Sequence, residues 1–274
     1  MYYLIKFKLH KCILCFLNIY VNFIFITIKK KCMKRPEILN DLAAVFRWIA
    51  KLNMHEGIAN HLSVCLPQSN ESFYVNGSGM HFSTIKASDL VLIEQNNIEE
   101  IKKKPSLVDP TAINIHGTIH KKVPHARCIL HIHSKYATAL STLKDPTLPP
   151  IDQNTMRFYN RVAIFEDFGG LGFEEESIKM AGCIGNRQLM LLANHGILTT
   201  GQTVAQAFDD LYYFEKACET YITALSTHKE LKVAIPEVAE KTAQDWENYP
   251  IDSAELHLKA VRSILDKEDP TYKQ

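Results

Sequence analysis

Residues 128–133 read Cys-Ile-Leu-His-Ile-His, and residues 189–199 read Leu-Met-Leu-Leu-Ala-Asn-His-Gly-Ile-Leu-Thr. Both begin as apolar, β-leaning runs and reach a histidine. In a strand, residues i and i+2 share a face about 6–7 Å apart. His131 and His133 therefore project together from one strand end. His195 stands at the turn closing the second run, beside Gly196, whose missing Cβ lets the backbone approach a site closely. Two imidazoles on a strand and a third on a turn can converge on one ion. Three histidines with an open fourth position is the pattern of a catalytic rather than a structural zinc. The chain has 12 histidines, so a His-x-His pair at a strand end can also arise by chance, and spacing alone leaves both readings open.

The surrounding pattern is that of one α/β domain. Asp109-Pro110-Thr111 opens a helix, with Asp109 placed to cap it and Pro110 suited to the first helical position. Ile113, Ile115 and Ile119 follow, interleaved with His116 and His120, and Pro124 ends it. Upstream, Ile38, Leu42, Val45, Phe46 and Ile49 mark a helix from Pro36 to about Leu52. Met54–Ser63 reads as a turn into a short strand. Phe73–Val75 and Leu90–Glu94 read as strands, and Asn76-Gly77-Ser78-Gly79 as a tight loop. Downstream, Ser134–Thr142 reads as a helix and Asp145–Pro150 as a loop. Thr203 caps a long helix to about Leu225. Helical patterns around Glu237–Asn248 and Ala254–Lys267 close the chain. No internal repeat appears, and the sheet is expected to be mixed or antiparallel rather than strictly βαβ.

Composition narrows the class. The chain has 274 residues, is 46% hydrophobic and 22% charged, and carries a net charge of +1. Nothing in that balance points to nucleic acid or an acidic partner. Seven scattered cysteines fit a reducing, cytoplasmic setting rather than a disulfide framework. Cys12 and Cys15 form a CxxC with no second ligand pair nearby, which we read as accidental. Residues 1–32 form an apolar extension without Gly, Pro, Asp or Glu. Its core, Ile13 to Ile28, is shorter than the roughly 20 residues that span a bilayer as a helix. A signal anchor, an ordered extra helix and an untranslated upstream stretch all remain open for it. Met33 is read as the functional start, giving a domain over 33–274.

Three segments together resemble the class II aldolase/adducin family: Asp109-Pro-Thr-Ala-Ile-Asn-Ile-His-Gly-Thr-Ile-His, Cys128-Ile-Leu-His-Ile-His and Leu192-Ala-Asn-His-Gly-Ile-Leu. The resemblance runs from about residue 36 to 226. The part from Trp246 onwards is similar to a bacterial adducin-like branch of class 2 aldolases. The resemblance implies a three-layer α/β/α sandwich around a central, mostly antiparallel sheet, and a homo-oligomer, in many members a tetramer. It implies Zn²⁺ held by His131, His133 and His195, although imidazole ligands also accept Mn²⁺ or Co²⁺. It further implies that Ser78 and Gly79 belong to a loop holding a substrate phosphate. Thr111 matches one of two helix-start hydroxyls serving the same phosphate, the neighbouring position being Pro110 here. A helix N-terminus with free N–H groups is a sensible anion site.

One departure bears on the chemistry. The family's acid/base glutamate falls on Ala112, which can neither carry a proton nor bind metal. Asp109 is a possible replacement, although its place at the helix start suits a cap. Tyr159, Glu166 and Asp167 lie in a loop that can face the site. The expected function is a zinc-dependent aldolase-type lyase acting on a small hydroxy-carbonyl or sugar-phosphate compound. Its base would be Asp109, Tyr159, a bound water or a group from a neighbouring subunit. The alternative is a catalytically lapsed, adducin-like metal-binding or interaction protein. Neither involves nucleic acid, and a membrane enters only if residues 1–32 are an anchor.

Overall fold

The computed structural model describes residues 35–274, apart from 68, 168, 171 and 172. The expectations for residues 1–32 lie outside the described residues. Helix α1 (Arg35–Lys51) buries Leu42, Val45, Phe46 and Ile49, the stripe its periodicity marks. An antiparallel meander follows: β1 (His61–Cys65), β2 (Phe73–Asn76) and β3 (Leu90–Ile93). After a short helix, α2 (Ile98–Lys102), comes α3 (Pro110–Lys122). Asp109 caps α3, its carboxylate accepting the Thr111 amide at 2.8 Å. Next are β4 (Cys128–Ile132), α4 (Lys135–Ser141), α5 (Gln153–Arg157) and β5 (Val162–Phe165). The chain continues through α6 (Glu174–Ile184), β6 (Leu189–Leu192), β7 (Gly196–Gly201) and α7 (Val204–Leu225). Helices α8 (Pro236–Glu247) and α9 (Ser253–Glu268) complete it.

The strands form one seven-stranded sheet in the order β3-β2-β1-β4-β7-β6-β5. Every neighbouring pair is antiparallel except β5 and β6. A parallel pair needs a crossover, and α6 supplies it. Leu62, Leu130, Ile132, Leu191 and Ile197 point into one core, shared with α1, α4, α7 and α9. Ile129, Met190, Leu192 and Leu198 point into another, shared with α3 and α6. The expected α/β/α sandwich is therefore the fold. Helices α2, α5 and α6 and strand β5 were not among the expected elements. Among the described residues, no helix is long and apolar enough to cross a membrane.

The strand alternation decides what meets what. On β1 and β4, Leu62, Val64, Cys128, Leu130 and Ile132 fill the α1–α7 core. Their alternates His61, Ser63 and His131 are left for the α3 face, where His116 and His120, at i and i+4, share one side of that helix. On the opposite face Glu215 of α7 reaches the start of α4. Its buried carboxylate accepts from Ser134 Oγ at 2.6 Å and from the Tyr136 and Ala137 amides at 2.9 Å. A carboxylate at that electropositive helix end fixes the chain immediately after His133.

Candidate metal centre

His131, His133 and His195 come together as the spacing suggested, each offering a ligand atom within 4.8 Å of the others. Their ring centroids are 5.1 Å (131–133), 4.9 Å (131–195) and 4.7 Å (133–195) apart. His131 lies on β4, central in the sheet and only 1% exposed. Its Nδ1 is 3.0 Å from the Ile197 carbonyl. A carbonyl only accepts, so Nδ1 carries the proton and Nε2 keeps a lone pair for the cluster. His133 lies just past the strand end, with Nδ1 2.5 Å from Glu56 Oε2. Its Nε2 is buried without any hydrogen-bond partner. An orphaned imidazole nitrogen aimed at two other histidines is what a divalent ion would satisfy. A carboxylate behind an imidazole is the kind of outer partner that orients a ligand histidine, and Glu56 stands in that place behind His133. Burial holds the His195 ring down to about 4, and it holds His131 well below the ordinary imidazole value. Both rings are therefore neutral near pH 7, the form that ligates.

Two small features of the turn make this possible. Asn194 adopts the left-handed conformation, with φ of 54°. Gly196 has no such φ; its role is close approach. A Cβ there would sit 2.7 Å from the Ile132 carbonyl oxygen and 2.9 Å from His133 Cδ2.

Beside the trio lies an open recess lined by Asn60, His61, Ser78, Gly79, Asp109 and Ala112, among others. His61 bridges the two, its ring centroid 5.0 Å from that of His131. Ser78 is turned away from the recess in its donors: its hydroxyl donates to the Pro105 carbonyl at 2.7 Å and its amide to the Leu107 carbonyl at 3.0 Å. Gly79 supplies the positive φ of the loop, 72°. Thr111 gives both its amide and its hydroxyl to Asp109 Oδ1, at 2.8 and 2.6 Å. The positive end of α3 is thus already engaged by a carboxylate. Tyr159 follows α5 and belongs neither to the trio nor to the recess; its carbonyl accepts from Arg161 at 2.6 Å. Glu166 and Asp167 follow β5, and Asp167 pairs with Lys179 at 3.4 Å.

Sequence reasoning missed Glu56, Asn60 and His61. Glu56 and His61 carry no local pattern because they act on residues far along the chain, whereas Asn60 Oδ1 accepts the Glu56 amide only four residues back. His116 and His120 of α3 are packed histidines, both fully buried behind His61.

A family model described as "Class II Aldolase and Adducin N-terminal domain" matches residues 40–222. This chain belongs to the class II aldolase and adducin family. Among its relatives is the "Putative aldolase class 2 protein" of Caulobacter vibrioides, 31% identical, covering 85% of this chain and 90% of the relative. The "Decarboxylase NovR" of Streptomyces niveus is 27% identical over 78% of this chain and 82% of that protein. Of solved structures, an aldolase II superfamily protein from Pseudomonas syringae superposes with a TM-score of 0.80. It is 27% identical and covers 90% of this chain and 100% of its own. The L-fuculose 1-phosphate aldolase of Glaciozyma antarctica gives a TM-score of 0.75 at 27% identity, covering 88% and 93%. Class II aldolases are typically dependent on a divalent metal, and the three-histidine group suits one.

Proposed function

We propose that this chain is a zinc-dependent, aldolase-type carbon–carbon lyase acting on a small hydroxy-carbonyl compound. The observation that carries this is the orphaned, buried Nε2 of His133, aimed with His131 and His195 at one point beside a polar recess. The named aldolase and decarboxylase relatives support the same reaction class. When bound, the ion supplies Lewis-acid polarisation of a substrate carbonyl or hydroxyl oxygen.

The chain's own residues set the rest. His131 and His133 are oriented through their Nδ1 atoms by the Ile197 carbonyl and Glu56. Asp109 shares the recess with Ala112, and is the in-chain carboxylate we assign to proton transfer. Its engagement with Thr111 leaves less of the α3 terminus for a phosphate, and a phosphate there would sit against a carboxylate. Ser78, Gly79 and Thr111 therefore serve a hydroxylated, unphosphorylated substrate better than a sugar phosphate. Tyr159 lies outside the recess, so a catalytic role for it calls for a second copy of the chain, as in a homotetramer. Breaking a carbon–carboxylate bond releases CO₂ and needs no base on a substrate hydroxyl, whereas retro-aldol cleavage does. Ala112 makes 3-keto acids, whose carbonyl takes the electron pair released with CO₂, natural candidates.

Ala112 also favours a second reading, a catalytically lapsed, adducin-like metal-binding or interaction protein. Metal analysis of the purified protein, followed by a screen of hydroxy acids, hydroxy-ketones and sugar phosphates, separates them. Stoichiometric zinc (or Mn²⁺ or Co²⁺) and turnover abolished by His131→Ala support the lyase. Metal without turnover supports the lapsed protein. Absence of any bound metal refutes the lyase and supports the lapsed protein as an interaction protein.

A further inference from the structure

Behind the recess runs a buried chain of polar side chains that the lyase chemistry above does not use. His61 Nδ1 is 2.7 Å from His116 Nε2. His116 Nδ1 is hydrogen-bonded to Ser63 Oγ. Ser63 Oγ is in turn 2.7 Å from His120 Nε2. His120 Nδ1 ends the chain 2.5 Å from the Ala126 carbonyl. All four side chains belong to residues at most 4% exposed.

The chain has a direction, and its end sets it. A carbonyl only accepts, so His120 Nδ1 must carry a proton. A neutral imidazole has one N–H and one lone pair, so His120 Nε2 accepts, and the Ser63 hydroxyl must donate to it. Ser63 has one hydrogen, already used, so it accepts from His116, whose Nδ1 is protonated. His116 Nε2 then accepts from His61, whose Nδ1 carries the proton. The one nitrogen of His61 left to the recess, Nε2, therefore presents a lone pair. Burial keeps His116 well below the ordinary imidazole value and His120 at about 4, so the neutral forms this logic needs are the ones present. Beside His61, Asn60 Nδ2 is buried without a partner in the same recess. A donor and an acceptor among the residues lining one recess match a hydroxyl, which accepts from one and donates to the other.

We propose that His61 is a substrate-contacting residue whose Nε2 accepts a hydrogen bond from a substrate hydroxyl beside the metal, its tautomer imposed by the chain His116–Ser63–His120 and the Ala126 carbonyl. This rests on the recess being the substrate site, as proposed above. Ser63, His116 and His120 touch nothing in the recess and are positioning residues.

The test uses the full chain with ¹⁵N-labelled histidine, and long-range ¹⁵N–¹H correlation to read each ring's tautomer, with His61 assigned by its loss in His61→Gln. The wild type should show His61 protonated at Nδ1 only. Ser63→Ala, two links away from the recess, should release it into a mixture of tautomers. A wild-type His61 protonated at Nε2 overturns the proposal without needing any variant to fold. A Ser63→Ala protein with the same single tautomer overturns the positioning chain. Glycolate added to the zinc-loaded protein, as a hydroxyl-bearing probe, should shift His61 Nε2; an unmoved signal overturns the contact. A ligand-sized shift of His61 on zinc alone makes it a fourth ligand and also overturns it. If zinc shifts none of His131, His133 and His195, the lyase reading fails, while the tautomer result stands on its own.

Discussion

Gly196→Ala adds a single methyl group where β7 leaves the ligand turn. The new Cβ would lie 2.7 Å from the Ile132 carbonyl oxygen and 2.9 Å from His133 Cδ2. An unstrained carbon–oxygen contact is about 3.3 Å or more, so something must move by roughly 0.6 Å. The oxygen belongs to the ladder between β4 and β7, and the carbon to a ligand ring; neither is the free end of a flexible side chain. Metal–ligand distances tolerate only about 0.2 Å. The displacement therefore exceeds what the site can absorb, and zinc affinity should fall at least about tenfold, the scale seen when a ligand loses its orientation. Overpacking of this kind also costs about 1–3 kcal/mol of stability. In a domain of this size that lowers Tm by roughly 2–4 °C per kcal/mol. The assay is competitive zinc titration against a chelator, paired with thermal unfolding with and without zinc. Gly182→Ala is the control: it lies in α6, and its Cβ meets nothing within 4 Å. It should leave zinc affinity unchanged and raise stability by up to about 1 kcal/mol. A Gly196→Ala protein with wild-type affinity and wild-type Tm would refute the close-approach argument.

Three further outcomes are expected. Glu56→Gln weakens the partner of His133 Nδ1 while touching an exposed side chain, so chelator titration should show a 10–100-fold loss of zinc affinity with Tm of the metal-free protein unchanged; equal affinity would remove Glu56 from the site. Glu215→Ala strips three donors at the start of α4 of their acceptor; urea denaturation should show a loss of about 2–4 kcal/mol, and a loss below about 1 kcal/mol would contradict the capping role. Burial holds His120 at about 4 and His116 well below the ordinary imidazole value, whereas both take up protons near pH 6.5 once unfolded. The unfolded state thus binds more protons between about pH 6.5 and 4, and the metal-free protein should lose stability as pH falls through that window; a flat denaturation profile there would count against buried neutral rings.

Much of the fold was legible because its signals are local. The α1 stripe, the Asp109 cap of α3 and the Thr203 cap of α7 act within a turn or two of the residues that announce them. β5 was not legible: four residues between Arg161 and Glu166 are too few to establish a period, and its partner β6 is supplied by tertiary structure. α6 opens on three glutamates and contains Gly182, which masks the apolar spacing of Met180, Ala181 and Ile184 that packs it. At the site, the three histidines were readable from motif. Glu56 and His61 were not, because they meet His133 and His116 across 77 and 55 residues of chain. His116 and His120 looked unremarkable on a helix, and only the opposing alternation of β1 gives them partners. The cap of α3 was legible too, since Asp109-Pro110-Thr111 announces it and Thr111 donates to Asp109.

β4 runs between β1 and β7, paired along both edges, and such central strands open last. His131 rides on that strand, His133 lies one residue beyond it, and His195 hangs on a turn. An ion held by the three would therefore be shed in a fixed order, with the turn ligand leaving first and the strand ligand last. The Asn194–Gly196 turn would set how quickly metal exchanges, while β4 would keep two-thirds of the cradle in place for the next ion.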